Sequence, residues 1–150
     1  MVDEKDKKIL ELLANNPKIT QQQIAKQLSL TPPAINSRIQ RMKQQKIILG
    51  NAPIIDLTKV GYDITVIVNA RIKNGKLNQA AQKWGKDPNV CSLHRVSGEY
   101  DMIITAKFHN TQELNEWNQK IVADTENIER TNTCLVFATE KEAILPNEIT

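Results

Sequence analysis

The sequence predicts an α+β protein of two domains, an N-terminal tri-helical, winged helix-turn-helix followed by a ferredoxin-like βαββαβ sandwich. Three observations lead there. The first fifty residues hold three helical patterns separated by polar caps and prolines. The last ninety alternate β-branched runs with amphipathic helical ones in the order βαββαβ. Charge divides along the same line: residues 1–50 carry nine Lys/Arg against four Asp/Glu, and residues 51–150 eleven against thirteen. The expected boundaries are a helical domain over 1–50, a linker over 51–61 and the sandwich over 62–150.

Asp3 is placed to cap the first helix, whose Ile9, Leu10 and Leu13 share one face, and Asn15-Asn16-Pro17 ends it. Thr20 with Gln23 three positions on forms a capping box for the second helix, in which Ile24, Ala25 and Leu28 give the apolar stripe. After the short break Ser29-Leu30, Thr31 caps a third helix, and Pro32 and Pro33 take first-turn positions where no amide hydrogen is needed. On this helix Ile35, Ile39 and Met42 point one way, while Pro33, Ser37, Gln40 and Gln44 point the other, flanked by Asn36, Arg38 and Arg41.

From Lys46 the pattern shifts to extended runs, Ile47–Leu49 and Ala52–Leu57, broken by Gly50, Asn51, Pro53 and Gly61. Strands are expected over Ile64–Ile72, Val90–Val96, Met102–Phe108 and Thr131–Thr139, and helices over Leu77–Trp84 and from Thr111 through Val122. Trp84 and Trp117 read as core residues. Apolar residues fall on both faces of the first and last strands, so the sheet is expected to pack on another sheet, most simply that of a second copy.

Composition bounds the function. With 40% hydrophobic and 25% charged residues the chain is globular, and no apolar run approaches the length of a membrane span. The start is charged and lacks a secretory core, which points to the cytoplasm. Cys91 and Cys134 have no metal-ligand spacing and read as small buried residues. His94 and His109 have no nucleophile or metal partner nearby and read as surface residues at strand ends, so no cofactor or metal is expected. Between Glu11 and Asp56 there is no acidic residue, while Lys18, Lys26, Arg38, Arg41, Lys43 and Lys46 fall in that window. Such a stretch suits double-stranded DNA, whose neutralised phosphates release counterions; the plainer alternative is a solvated basic face. The DNA-facing candidates are Thr31, Pro33, Asn36, Ser37, Arg38, Gln40, Arg41, Lys43, Gln44 and Lys46. Ser37 and Gln40 are best suited to base edges, and Arg38 either touches phosphate, the favoured reading, or pairs with an acid such as Asp6.

Asp6-(x)2-Ile9-Leu10-(x)2-Leu13, Ile24-Ala25-(x)2-Leu28-(x)-Leu30-Thr31 and Pro32-(x)-Ala34-Ile35-(x)2-Arg38-Ile39-(x)-Arg41-Met42, ending in Ile47-Ile48, stand in the first half. Leu57-(x)3-Gly61-Tyr62, Val96-Ser97-Gly98-Glu99-Tyr100-Asp101 and Thr131-Asn132-Thr133 stand in the second. In their order and spacing they resemble the Lrp/AsnC family of feast/famine transcription regulators. The resemblance implies a homodimer, with assembly into higher multiples such as an octamer, and an amino-acid or related effector bound between dimers near the loop of Gly98–Asp101. Ser97, Gly98, Glu99, Tyr100, Asp101, Thr131 and Thr133 are the effector candidates; the alternative is a simple turn between strands. Two positions depart from the family pattern: Lys46 stands where a glycine is usual, so that the helix is free to continue, and Asn51 where an aromatic is usual. The expected function is a sequence-specific regulator and not an enzyme. The other readings are a decarboxylase-like enzyme on the same architecture, or an architectural protein binding DNA with little sequence preference.

Overall fold

A computed structural model describes residues 2–50, 53 and 55–142, and the chain divides into two compact units, one of the first 54 residues together with Lys141 and Glu142 and one over Ile55–Glu140. In the first, three helices run over Glu4–Asn15 (α1), Gln21–Leu28 (α2) and Pro32–Gln44 (α3). Their starts follow the local chemistry. The Asp3 carboxylate accepts from the Asp6 N–H at 2.8 Å while the Asp6 carboxylate accepts from the Asp3 N–H at 3.0 Å, so α1 has a reciprocal box where sequence gave a single cap. Thr20 and Gln23 form the expected box on α2, and the Thr31 hydroxyl accepts from the Ala34 N–H on α3. Ile9, Ile24, Ala25, Ile35, Ile39 and Met42 are buried together, which fixes the outward face of α3.

The end of α3 differs from expectation. The helix does not continue through Lys46; Lys46 itself adopts the left-handed conformation at φ 56°. The Lys46 N–H donates to the Lys43 carbonyl (3.0 Å) and the Ile47 N–H to the Met42 carbonyl (2.9 Å), the two bonds of a Schellman stop that usually takes glycine. Among the described residues of this unit no strand follows, so neither the wing nor the extended run Ile47–Leu49 is found there as a strand. Of the run 52–57, Ala52 and Ile54 lie outside the described residues, as does Asn51. Residues 55–61 belong with the second unit rather than to a free linker, and include a 3-10 turn over Thr58–Val60.

The second unit runs β1 (Ile64–Ile72), α4 (Leu77–Trp84), β2 (Val90–Arg95), β3 (Met102–Phe108), α5 (Thr111–Val122) and β4 (Ile128–Leu135). The antiparallel sheet has the order β2-β3-β1-β4, that of a ferredoxin-like sandwich. Alternate residues Val66, Val68, Ala70 and Ile72 of β1 and Met102, Ile104, Ala106 and Phe108 of β3 are buried with Trp84, Trp117 and Ile121 of the helices. The two indoles meet edge to face at 5.7 Å, and the Trp84 N–H donates to Asp124.

The opposite face carries Ile67, Ile103 and Cys134 among Thr65, Asn69, Thr105 and Asn132, and Ile67 keeps 37% of its surface. It is more polar than the apolar run of each strand suggested. Cys91 and Cys134 are exposed, contrary to expectation: Cys134 pairs with Ile67 on this uncovered face, and Cys91 sits at a register shift in β2. β4 starts three residues earlier than Thr131 and stops at Leu135 instead of Thr139. Its partners on β1 run only from Ile72 back to Val66, with one further bond from Val136 to Thr65, and a strand persists only while a neighbour pairs with it.

Candidate functional site

Thr31, Pro33, Asn36, Ser37, Gln40, Arg41, Lys43, Gln44 and Lys46 are all exposed, and α3 presents Pro33, Ser37, Gln40 and Gln44 on one outward face because its other side is the core of the unit. On one flank the Asn36 side-chain oxygen accepts from Gln21 of α2 at 3.1 Å. At the C-terminal end Lys43 and Lys46 supply cationic groups within reach of the helix dipole's negative end.

On the other flank Arg38 makes the alternative contact, pairing with acids that include Asp6. Its Nη1 donates to Asp3 at 2.6 Å and to Asp6 at 2.8 Å, and only a quarter of its side chain is exposed. Arg41, one turn on, donates through Nη2 to the second oxygen of the fully buried Asp6. The cause is the geometry of the α1 box, which turns two carboxylates toward successive turns of α3. Both arginines are thus engaged by acids 32–35 residues away, of which sequence offered only Asp6 for Arg38. The Arg38 guanidinium, followed by the Asp6 N–H, holds the Asp3 carboxyl at about 2, so it is charged at any ordinary pH.

The segment Ser97–Asp101 joins β2 to β3. Gly98 stands at φ 120°, a conformation that a side chain would strain, and the Val96 N–H closes the turn on the Asp101 carbonyl at 3.0 Å. Asp101 is turned to the sheet: its carboxylate accepts from the Ile72 N–H at 2.8 Å and lies 3.7 Å from Arg71. Arg71 caps the Glu99 carbonyl at 2.8 Å, Arg130 pairs with the Glu99 carboxylate at 2.7 Å, and the Arg130 guanidinium stands 5.2 Å from the Tyr100 ring. Arg71, Gly98, Glu99, Glu129 and Arg130 line a shallow, open depression of about 520 Å³.

Thr131 and Thr133 do not line that depression. By register they sit opposite Ala70 and Val68, on the helix side of the sheet, and the Thr133 hydroxyl donates to Asn118 of α5 at 3.4 Å. Arg71, Glu129 and Arg130 were missed by sequence reading. Arg71 and Arg130 are direct cross-strand partners, a like-charge pair that is repulsive unless anions sit beside it, as Glu99 and Asp101 do here. Only the register of β1 on β4 reveals them.

Among the described residues no cluster of side chains could hold a metal ion, and no helix is long and apolar enough to cross a membrane. Residues 2–48 match the winged helix-turn-helix DNA-binding family, and residues 65–145 match the Lrp/AsnC ligand binding domain. An uncharacterised HTH-type transcriptional regulator of Pyrococcus abyssi is 33% identical over 95% of this chain and 96% of its own length. The HTH-type transcriptional regulator FL11 of Pyrococcus furiosus is 30% identical, over 95% and 93%. Among solved structures, Escherichia coli AsnC superposes with a TM-score of 0.89 at 23% identity, covering 97% of this chain and 98% of that one. A transcriptional regulator of Neisseria meningitidis in complex with L-Met does so at 0.87 and 20%, over 97% of each.

Proposed function

Since the chain belongs to the Lrp/AsnC family of transcription regulators, we propose that it reads operator DNA through α3, as a homodimer or a multiple of dimers such as an octamer, and that an amino acid or related metabolite beside the Gly98–Asp101 loop changes that reading. The relatives are regulators rather than enzymes, which leaves the decarboxylase-like alternative without support.

On DNA, Ser37 and Gln40 have the hydrogen-bonding groups and outward position for base edges, with glutamine able to bond adenine in two places. Lys43 and Lys46 supply phosphate contacts from the end of the helix. In a dimer, paired recognition helices would read half-sites about 34 Å apart, or multiples of that. The uncovered sheet face, with Ile67, Ile103 and Cys134, is the surface that a second copy would cover.

The observation that carries the effector reading is the cross-strand pair Arg71 and Arg130 beside Glu99 and Glu129. Guanidinium donors suit an α-carboxylate and the glutamates suit an α-ammonium, so the mixed lining fits a zwitterion. That a neighbour of the same fold holds L-Met agrees with this class of ligand. The effector must favour one assembly or helix spacing over another, because equal affinity for both shifts nothing. The test is a thermal-shift titration with the twenty amino acids on the chain and on Arg130→Ala. One amino acid should raise the melting temperature of the wild type and lose most of that effect in the variant; a response to none, or an equal response in both, would contradict the reading.

A further inference from the structure

We infer that Asp3 is an internal stand-in for a DNA phosphate on Arg38, a counter-charge that weakens sequence-independent binding and that a backbone phosphate replaces when α3 seats in the groove. The inference rests on reading α3 as the groove helix.

The two acids of the cluster differ in kind. Asp6 is fully buried, receives both arginines and the Asp3 N–H, and has no surface from which to leave. Asp3 has half its side chain in solvent and grips Arg38 from the outside at 2.6 Å. Arg38 meets both carboxylates with Nη1, and among the described residues its Nε and Nη2 donate no hydrogen bond, so the guanidinium keeps donors for a second anion. The geometry of a carboxylate on an exposed arginine edge is that of a phosphate oxygen on the same edge.

The consequence is a matter of charge count. Arg38 and Arg41 against Asp3 and Asp6 sum to zero, so this flank of α3 offers DNA no net attraction until Asp3 gives way. Exchange of one anion for another on Arg38 yields little net affinity and leaves the Asp3 charge close to the phosphates. Non-specific binding, which is nearly all electrostatic, is weakened most, and the base contacts of Ser37 and Gln40 gain relative weight. Asp3 is therefore a specificity-determining residue that touches no base.

The test is fluorescence-anisotropy titration of a generic 30-bp duplex across a salt series, using wild type, Asp3→Asn and Glu11→Gln. Asparagine keeps the N-cap and removes the charge; the glutamine variant removes an equal charge elsewhere on α1. Asp3→Asn should bind several-fold tighter at low salt, with a log–log salt slope steeper by about 0.9 and convergence with wild type at high salt. Glu11→Gln should shift far less. Asp3→Ser, which also caps a helix, serves as the second variant if the first unfolds. Binding by Asp3→Asn equal to that of Glu11→Gln, or weaker than wild type, would overturn the inference. Weaker binding by Lys43→Ala alongside either result leaves the groove-helix reading standing; no effect of Lys43→Ala on this duplex would remove that reading itself.

Discussion

Lys46 shows how much one residue's conformation carries. A side chain in the left-handed region costs on the order of 1 kcal/mol relative to glycine, yet this position also places a cation at the end of α3. Lys46→Gly should therefore raise stability by about 1 kcal/mol in urea unfolding while lowering the DNA salt slope by about one phosphate. A stability unchanged or reduced would show that the conformation is unstrained. At this scale sequence was a good guide to caps, because Thr20, Gln23 and Thr31 act on backbone groups three residues away. For Arg38 it offered Asp6 only as the second reading and did not reach Asp3, and it missed Arg71 and Arg130, which meet only through strand pairing.

Among the elements, α3 had the clearest signature, since its buried Ile35, Ile39 and Met42 dictate what its other side shows. Gln40→Ala should relax base preference at one position, costing about 1–3 kcal/mol on the preferred site and little on scrambled DNA, whereas Lys43→Ala should weaken both equally. Equal loss from both substitutions would take Gln40 out of base reading. β1, α4, β3 and α5 were legible to the residue because each combines periodicity with turn chemistry at its ends. β4 was not. Its apolar Cys134–Ala138 drew the expected strand toward the C-terminus, while Arg130, polar and unremarkable in sequence, is a strand residue because Arg71 of β1 pairs with it, and Glu129 sits at the register shift beside that pair.

For the whole molecule, acid stability follows from paired carboxylates in both units. Asp3 is held at about 2 by Arg38, and Glu113 is lowered by the His109 N–H and Asn89. Burial alone would raise Asp124, but hydrogen bonds from Asn127, Lys83 and Trp84 together outweigh it and lower it. Each is depressed in the folded state, so its stabilisation is complete above the unfolded value and is lost as pH falls through the folded one. The melting temperature at fixed ionic strength should be level from neutrality to about pH 4.5 and fall toward pH 2; Asp3→Asn should flatten part of that fall. The two-unit plan, a basic helical unit and an acidic-leaning sandwich, was legible from charge and periodicity, whereas the mixed, half-polar outer face of the sheet became visible only with the register. On the proposed function this chain distinguishes DNA sequences and does so in response to a metabolite. The most direct test is binding of the full chain to the promoter fragment of its own gene against a scrambled fragment, at two salt concentrations, with and without each amino acid. Preference for the promoter that survives the higher salt and changes with one amino acid is the expected result. Equal binding to both fragments, unaffected by any amino acid, would contradict it and leave an architectural DNA-binding protein in its place.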